Sequence, residues 1–337
     1  VQSTGKNTDL CLSGSGLFVV KNGSGTYYTR DGAFEFDSKG NYVLPGSGLL
    51  VQGWMGNKGS INTSAAPTNI QIEAGKSMPA AATQSSTYTL NLNAEEPTIT
   101  KITRTTVSGG TTTTDTPTSA NVTGTNVSLT LTLSDGTSQT ISAVSGTTYT
   151  INDSMPVSTT LTAYDSLGNA HTIPILIEKT ASNTWYASLN GYKGATTKTV
   201  TETDGSTTEL SLAAVKIPFK TNGSYDSPAG ATGTLSLTYS NGNGASAQNV
   251  TMDFSALTQY SGMSTVKSTA DGNAAGSLKS VSVDSSGIIT GTYTNGITQS
   301  EAQVAIAQFN NPAGLTKNGS NLYTKSNNSG EPNVRTA

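Results

Sequence analysis

Apolar and polar residues alternate along most of the chain, as they do in half-buried β-strands. In Val127–Leu133 every odd position is apolar and every even position carries a hydroxyl. Tyr88–Leu92 and Thr234–Tyr239 also alternate. A period of two puts one set of side chains on a single face of a strand. The pattern therefore predicts antiparallel strands with one face on a core and the other in water.

Turn residues divide the N-terminal part into short strands. Leu17–Lys21 is followed by the turn Asn22–Gly25 and by a second strand from Tyr27. Asn-Gly favours a tight hairpin because both residues tolerate positive φ. Phe34 and Phe36 lie two positions apart and are expected on one face of a strand.

The composition changes near residues 74–83, where alanine, serine and threonine surround Pro79. After Gly262 the composition returns to that of the first segment. We therefore expect an all-β, multidomain protein. Residues 1–77 and 264–337 form a discontinuous inner β domain, and 78–263 form an inserted outer domain like a β-sandwich or barrel. Residues 97–160 are expected to form a sub-domain or extension, with a mobile hairpin or loop at 109–114. Short helical turns are expected at Phe254–Tyr260, Thr298–Gln303 and Asn311–Leu315.

Composition excludes several classes of function. A chain of 337 residues suggests two or three domains. Its 12% of charged residues and net charge of -3 give no basic surface for nucleic acid. No apolar run reaches the ~20 residues of a membrane span, and the start lacks the pattern of a signal peptide. We expect neither nucleic-acid binding nor membrane insertion.

Candidate chemistry is sparse. His171 is the single histidine, so a multi-histidine metal site is excluded. We expect a surface or hydrogen-bonded structural histidine, because Asp165 and Ser166 are its neighbours in sequence only and do not build a catalytic triad. The single Cys11 cannot form an intramolecular disulfide, and its apolar neighbours predict a buried position on a strand.

One glycine-rich stretch, Gly242–Ala247, formally fits a Gly-x-Gly-x-x-Ala motif. No alternating helices surround it, so a flexible turn is expected. The sequence therefore predicts no catalytic, cofactor-binding or metal-binding residue, no cofactor and no enzymatic activity.

Two stretches near opposite ends of the chain resemble the flagellar axial proteins of bacteria. They are Asp9–Phe34, which contains Tyr28-Thr-Arg-Asp-Gly-Ala-Phe34, and Ala302–Leu315. The segments Tyr164–His171 with Trp185, Leu257–Gly262 and Gly287–Gly296 narrow the resemblance to the hook family. Members of that family carry terminal helices with heptad-like repeats, which this chain lacks, so a trimmed, monomeric central fragment is expected.

The resemblance implies a structural subunit of an extracellular flagellum. Its members self-assemble into a curved, flexible tube that carries motor torque to the filament as a universal joint. Implied partners are further copies of the chain, the rod, hook-cap and hook–filament junction proteins, and the flagellar type III export apparatus. A distal rod or hook-associated protein, and a surface adhesin or carbohydrate-binding β module, stay open as alternatives.

Overall fold

The structure is a computed structural model that describes residues 6–23, 25–144, 146–202, 205–226, 232–240 and 244–336. The chain divides into two compact units. Unit 1 contains Val1–Pro79 and Ala275–Ala337, and unit 2 contains Ala80–Ala274. No helix in the described ranges has the length and apolar character needed to cross a membrane.

Unit 1 takes strands from both ends of the chain. The first group is β1 (Leu17–Asn22), β2 (Gly25–Thr29), β3 (Glu35–Phe36), β4 (Tyr42–Leu44), β5 (Leu49–Asn57), β6 (Ser60–Ile61), β7 (Thr68–Asn69) and β8 (Ser77–Met78).

Unit 2 contains the strands of the middle of the chain. They are β9 (Ser85–Asn93), β10 (Ile99–Ser108), β11 (Thr111–Asp115), β12 (Ser119–Asn121), β13 (Val127–Leu133), β14 (Ser138–Ile141), β15 (Thr148–Thr150), β16 (Val157–Tyr164), β17 (Ala170–Ala181), β18 (Thr184–Ser188), β19 (Thr197–Thr201), β20 (Thr207–Ser211), β21 (Val215–Pro218), β22 (Thr232–Ser240), β23 (Gln248–Tyr260) and β24 (Thr265–Ala270).

The last group returns to unit 1. It comprises β25 (Gly276–Val283), β26 (Ile288–Tyr293), β27 (Thr298–Val304), β28 (Ile306–Gln308), β29 (Thr316–Lys317), β30 (Leu322–Thr324) and β31 (Asn333–Arg335), with one 3-10 turn at Pro312–Gly314.

Strand β1 is buried on both faces of the unit 1 sheet. Phe18 and Val20 join one apolar cluster, and Leu17 and Val19 join another. Residues 17–20 are all apolar, with no polar residue at every second position, because neither face of this part of the strand meets water. β1 pairs with β2, β5 and the distant β28, where Phe18 lies opposite Ile306. The two ends of the chain therefore complete one sheet.

Two sheets of unit 2 share one core. Their strand orders are β16-β17-β18-β21 and β19-β20-β22-β23-β9-β24. Trp185 is fully buried among the apolar residues of both sheets. Its indole Nε1 donates to Gln259 Oε1 at 2.8 Å, so the buried polar atom of this large side chain is satisfied. The predicted all-β fold with a sandwich-like middle region is confirmed.

Residues 99–155 carry a core of their own inside unit 2. Sheets β11-β10-β13-β14 and β12-β15 enclose Ile102, Leu129 and Leu131. The weakly patterned Gly109–Thr114 forms the turn and outer strand of a hairpin, and the whole of β11 is exposed. Its threonines have little to bury because the hairpin extends beyond this core.

Two predicted helical turns are wrong. Phe254–Tyr260 belongs to β23 and Thr298–Gln303 to β27. In β23 a bulge between Asp253 and Ala256 moves the inward position from Phe254 to Leu257. The resulting spacing of three imitates helical periodicity. In the third segment, Asn311–Leu315, the 3-10 turn lies at Pro312–Gly314.

The division between the units differs from the predicted boundary at its second crossing. Residues 264–274 lie in unit 2, because β24 pairs with β9 from Thr265 opposite Asn91 to Ala270 opposite Ser86. At the edge of the unit, Ala81 and Asn273 exchange backbone hydrogen bonds of 3.0 and 2.9 Å. The chain thus enters and leaves unit 2 side by side.

Candidate functional surfaces and buried polar clusters

His171 is buried between two carboxylates in unit 2. Its Nδ1 lies 2.9 Å from Glu202 Oε1, and its Nε2 lies 3.4 Å from Asp165 Oδ2. Thr208 Oγ1 donates to the same Glu202 oxygen at 2.8 Å. The Tyr239 ring lies beside the imidazole, with ring centroids 4.6 Å apart. The cluster fastens the β16–β17 turn to the β19–β20 hairpin of the other sheet.

This arrangement does not serve nucleophilic catalysis. Both ring nitrogens of His171 face carboxylates, and the hydroxyl near them, Thr208 Oγ1 at 3.4 Å from Nδ1, donates its proton to Glu202 instead. The nearby Ser166 uses its Oγ to accept the backbone N–H of Ser246 at 3.4 Å. A triad needs the histidine to hydrogen-bond the hydroxyl, and here that position is taken. The residues act as a clamp between strands.

Asp165 is held ionised by its own turn. Burial acts to raise its pKa, but hydrogen bonds from the Asn169 side chain and from the Asn169 and Leu167 backbone, with His171, outweigh burial and lower the pKa. Among the residues that the structure describes, the same turn occurs three times. In each, the aspartate carboxylate accepts the N–H groups two and four residues later, and a glycine with positive φ follows. The turns are Asp37–Gly40, Asp165–Gly168 and Asp284–Gly287.

The three turns share one sequence motif. Each reads Asp-Ser-x-Gly, and only the copy within Tyr164–His171 contributed to the resemblance. Glycine is required because its φ lies between 70° and 89° at these positions. The motif therefore encodes a rigid strand connection.

A second buried acid lies at Glu178 in β17. Its Oε2 accepts the backbone N–H of Tyr192 at 2.6 Å. Burial raises the pKa of Glu178 to about 7, and the neighbouring Asp153 adds to the rise. Burial also raises the pKa of Asp153. Within the described residues no group of three His, Cys, Asp or Glu side chains converges on a point where a metal could bind.

Unit 1 buries one carboxylate, Glu301, and satisfies it fully. Lys76 Nζ and Tyr293 Oη each lie 2.6 Å from its oxygens, and Gln299 donates at 3.2 Å. Burial and this carboxylate raise the pKa of Tyr293. Buried charges of this kind need a partner for each oxygen, which these three side chains supply. The cluster joins the β8 side of the sheet to β27.

The predicted buried position of Cys11 is wrong. Cys11 is exposed and lies in irregular chain before β1. The segment is held by a backbone hydrogen bond from Leu10 N–H to Gly32 O and by Arg30, which donates to Leu12 O and Gly14 O. It borders an open cavity of about 260 Å³. Its neighbours are apolar because Leu10 and Leu12 pack on the core, while the backbone turns Cys11 outward.

The glycine-rich stretch and the family motifs from the sequence analysis have these places in the structure. Gly242–Ala247 lies partly outside the described residues, and Gly244 has φ of +82°. Leu257–Gly262 ends β23, and Gly287–Gly296 contains β26. In Ala302–Leu315, Phe309 packs edge-on against Tyr28 with ring centroids 4.8 Å apart. The motifs at the two ends of the chain thus meet in one core.

The described surface also exposes large apolar side chains, which no pattern in the sequence distinguished from core residues. They are Leu90, Val107, Val144, Leu167, Tyr260 and Met263.

Comparison with known proteins matches these features to one family. Residues 11–89 match the flagellar hook protein FlgE/F/G D1 domain, and residues 135–273 match the flagellar basal body protein FlaE D2 domain. The flagellar hook protein FlgE of Treponema pallidum is 31% identical over 344 residues, which cover 100% of this chain and 70% of that protein. The chain belongs to the flagellar hook protein FlgE family.

Other FlgE proteins agree. FlgE of Borreliella burgdorferi is 26% identical over 351 residues, covering 99% of this chain and 67% of its own length. The crystal structure of Helicobacter pylori flagellar hook protein FlgE2 shares the fold with a TM-score of 0.51 and 15% identity, covering 97% of this chain and 94% of that one. The predicted hook resemblance is confirmed, and the chain is a structural subunit of the flagellar hook.

Proposed function

We propose that this FlgE family member polymerises into the hook tube and carries motor torque to the filament as a universal joint. The observation that supports this most strongly is the likeness to FlgE over the whole chain, in both units. Identical subunits that make head-to-tail contacts without closing generate a helical filament. The rigid turns and the fully partnered Glu301 carboxylate suit a subunit that must keep its shape under load.

The proposal extends to partners and place. The subunit contacts further copies of itself and the rod, hook-cap and hook–filament junction proteins outside the cell, after passage through the flagellar type III export apparatus. It has no catalytic role: its most chemically suggestive cluster, around His171, is committed to joining two sheets. The division into units 1 and 2 corresponds to an inner and an outer domain.

Complementation tests this function. The complete gene is expressed in a flagellated bacterium that lacks its own hook protein, and cells are viewed by electron microscopy. Curved tubes that bear filaments are the expected result. Bare rods would contradict the proposal and favour a distal rod protein, and chain found on the cell surface without tubes would favour an adhesin. A variant with Trp185→Ala serves as the control for loss of fold.

A further inference from the structure

The core-facing side of β10 changes from apolar to polar part-way along the strand. Ile102 lies opposite Leu131 of β13 and belongs to the small core of residues 99–155. Every second residue of a strand points to the same face, so Arg104 and Thr106 follow Ile102 on this face. Such inward positions of packed sheets are usually apolar. Here they hold polar side chains beyond the end of the core.

Strands β11 and β12 complete a polar cleft at this place. In the β10–β11 hairpin Asp115 lies opposite Arg104, so the two side chains share the inward face. β12 and the residues after it contribute from the second small sheet. We call this space, which has a volume of about 400 Å³, the Arg104 cleft. Its lining includes Arg104, Thr106, Asp115, Asn121, Thr123 and Val127.

The two charged residues of the Arg104 cleft neutralise each other. Arg104 Nε donates to Asp115 Oδ1 at 2.9 Å, and Arg104 Nη2 donates to Asp115 Oδ2. The hydrogen bond from Arg104 lowers the pKa of Asp115, so the carboxylate is ionised at neutral pH. The pairing holds both planar groups side by side, while 40% of the Arg104 side chain and 51% of the Asp115 side chain stay exposed. The cleft therefore offers a donor and an acceptor together without a net charge.

Other polar groups of the cleft have hydrogen-bonding capacity to spare. Within the part of the chain that the structure describes, Arg104 Nη1, the Thr106 hydroxyl and the Asn121 amide make no hydrogen bond to another protein group. They come from two different sheets and line one space. A small number of converging polar groups in a concave surface is the usual composition of a binding site for a polar small molecule.

These groups fit the hydroxyls of a neutral sugar. A hydroxyl both donates and accepts, so two adjacent hydroxyls can accept from Arg104 and donate to Asp115. A charged ligand would meet no unpaired counter-charge. An apolar ligand would leave polar groups without partners, because Val127 is the one apolar residue in the described lining. The volume of about 400 Å³ lies in the range of small-molecule sites and suits about one or two sugar rings.

We propose that the Arg104 cleft binds a neutral saccharide. Arg104 and Asp115 contact adjacent hydroxyls of one sugar unit, and Thr106 and Asn121 fix its orientation. This site gives a structural subunit a recognition role in addition to assembly, and it does not depend on polymerisation. A free sugar and the terminal unit of a polysaccharide offer the same hydroxyls, so the ligand is defined by this shared chemistry.

Saturation-transfer NMR on the purified chain tests the site. The probes are the methyl glycosides of glucose, galactose, mannose and N-acetylglucosamine, and at least one is expected to receive saturation from the protein. Thr106→Val should raise the dissociation constant of that probe about tenfold, since a sugar hydroxyl loses its partner. The matched control is Thr105→Val, because Thr105 is the next residue, is equally half-buried and points to the opposite face of β10. It should leave the dissociation constant unchanged.

A change of charge gives a second readout. Asp115→Asn leaves Arg104 without its counter-charge, so the neutral glycoside should bind about tenfold more weakly and glucose 6-phosphate should gain affinity. An oligosaccharide of the preferred sugar distinguishes the two sources of the ligand. Tighter binding than the methyl glycoside supports the end of a polysaccharide, and equal binding supports a free sugar.

Several results would overturn the site. They are no saturation transfer to any of the four glycosides, binding that Thr106→Val leaves intact, equal weakening by Thr105→Val, and preference of the unsubstituted chain for glucuronate. Thermal unfolding of each variant shows whether it is folded. Should Thr106→Val fail to fold, Thr123→Val replaces it, because Thr123 is exposed and lines the same cleft.

Discussion

Glu178 is a buried acid, and burial raises its pKa to about 7. Because this folded-state pKa exceeds the unfolded value, the ionised group destabilises the fold above pH 7, and the cost fades as pH falls towards the unfolded pKa. We expect Glu178→Gln to stabilise unit 2 by roughly 2–3 kcal/mol at pH 8 and by much less at pH 5. Urea unfolding at the two pH values measures the difference.

The control for this change is Glu209→Gln, because Glu209 lies exposed on β20. It should leave the free energy of unfolding unchanged at both pH values. Equal stability of Glu178→Gln and the unsubstituted protein at pH 8 would show that the Glu178 carboxylate is not buried as described.

His171 supports stability through its two carboxylate partners. We expect His171→Leu to cost about 3 kcal/mol, since the buried Asp165 and the half-buried Glu202 then lose the ring nitrogens that they contact. Asp165 has a lowered pKa, so its contribution is present above the unfolded value and is lost as pH falls through the folded value. Chemical denaturation at pH 7 measures the cost. Adding Asp165→Asn and Glu202→Gln should recover part of it, and no recovery would contradict the clamp.

Strand β9 shows how an element can depart from its own pattern. Its kink at Leu90 places a residue at φ of +84° that glycine would adopt without strain. We expect Leu90→Gly to stabilise the chain by roughly 0.5–1 kcal/mol, because the strain of the side chain at this φ is removed. Thermal unfolding of the monomer measures the effect.

The buried neighbour Leu92 provides the contrast. Leu92→Ala removes a fully buried side chain and should cost about 2–5 kcal/mol. A loss of similar size for Leu90→Gly would mean that Leu90 supports the core after all.

Sequence patterns predicted the strands well where alternation or flanking turn residues alone determined them. Alternation predicted the inward leucines of β13, and the turn at Asn22–Gly25 predicted the strand Leu17–Lys21, where β1 lies. The patterns failed where the backbone departs from a regular strand. Leu90 alternates in sequence but is turned out, and the bulge in β23 imitates a helix. Cys11 has apolar neighbours but stands outside any strand.

The polar clusters were less accessible to sequence analysis because their members come together only through folding. His171 was named as a candidate, but its partner Glu202 lies in the connection between β19 and β20, which belong to a different sheet. The sequence around Glu178 is that of an ordinary strand, and the raised pKa of Glu178 arises from burial in the fold. The family motifs could be read from the sequence, because each is a contiguous stretch. Two of their residues, Tyr28 and Phe309, pack together in the fold.

At the scale of the molecule, unit 1 should fold without unit 2. β8 and β25 already pair, with Met78 opposite Gly276, so a two-residue turn can replace residues 80–274. We expect Pro79-Asn-Gly-Ala275 to give a protein with a cooperative unfolding transition and protected amides in β1 and β5. Hydrogen exchange measures this.

The matched control is residues 1–79 alone. This fragment lacks β27 and β28 and should show neither cooperativity nor protection, because β1 loses its pairing with β28 and β5 loses its pairing with β27. A folded control would show that the N-terminal strands are self-sufficient.

The pairing of strands from the two parts of unit 1 also determines when an exported subunit can complete its fold. Phe18 must meet Ile306 before the sheet of unit 1 can close. In the proposed export route, the strands of unit 1 that emerge first wait until all of unit 2 has followed, while unit 2 needs only its own contiguous residues. Unit 1 can therefore close only after unit 2 has left the channel, so a subunit halted before that point has a folded unit 2 and no finished unit 1 sheet.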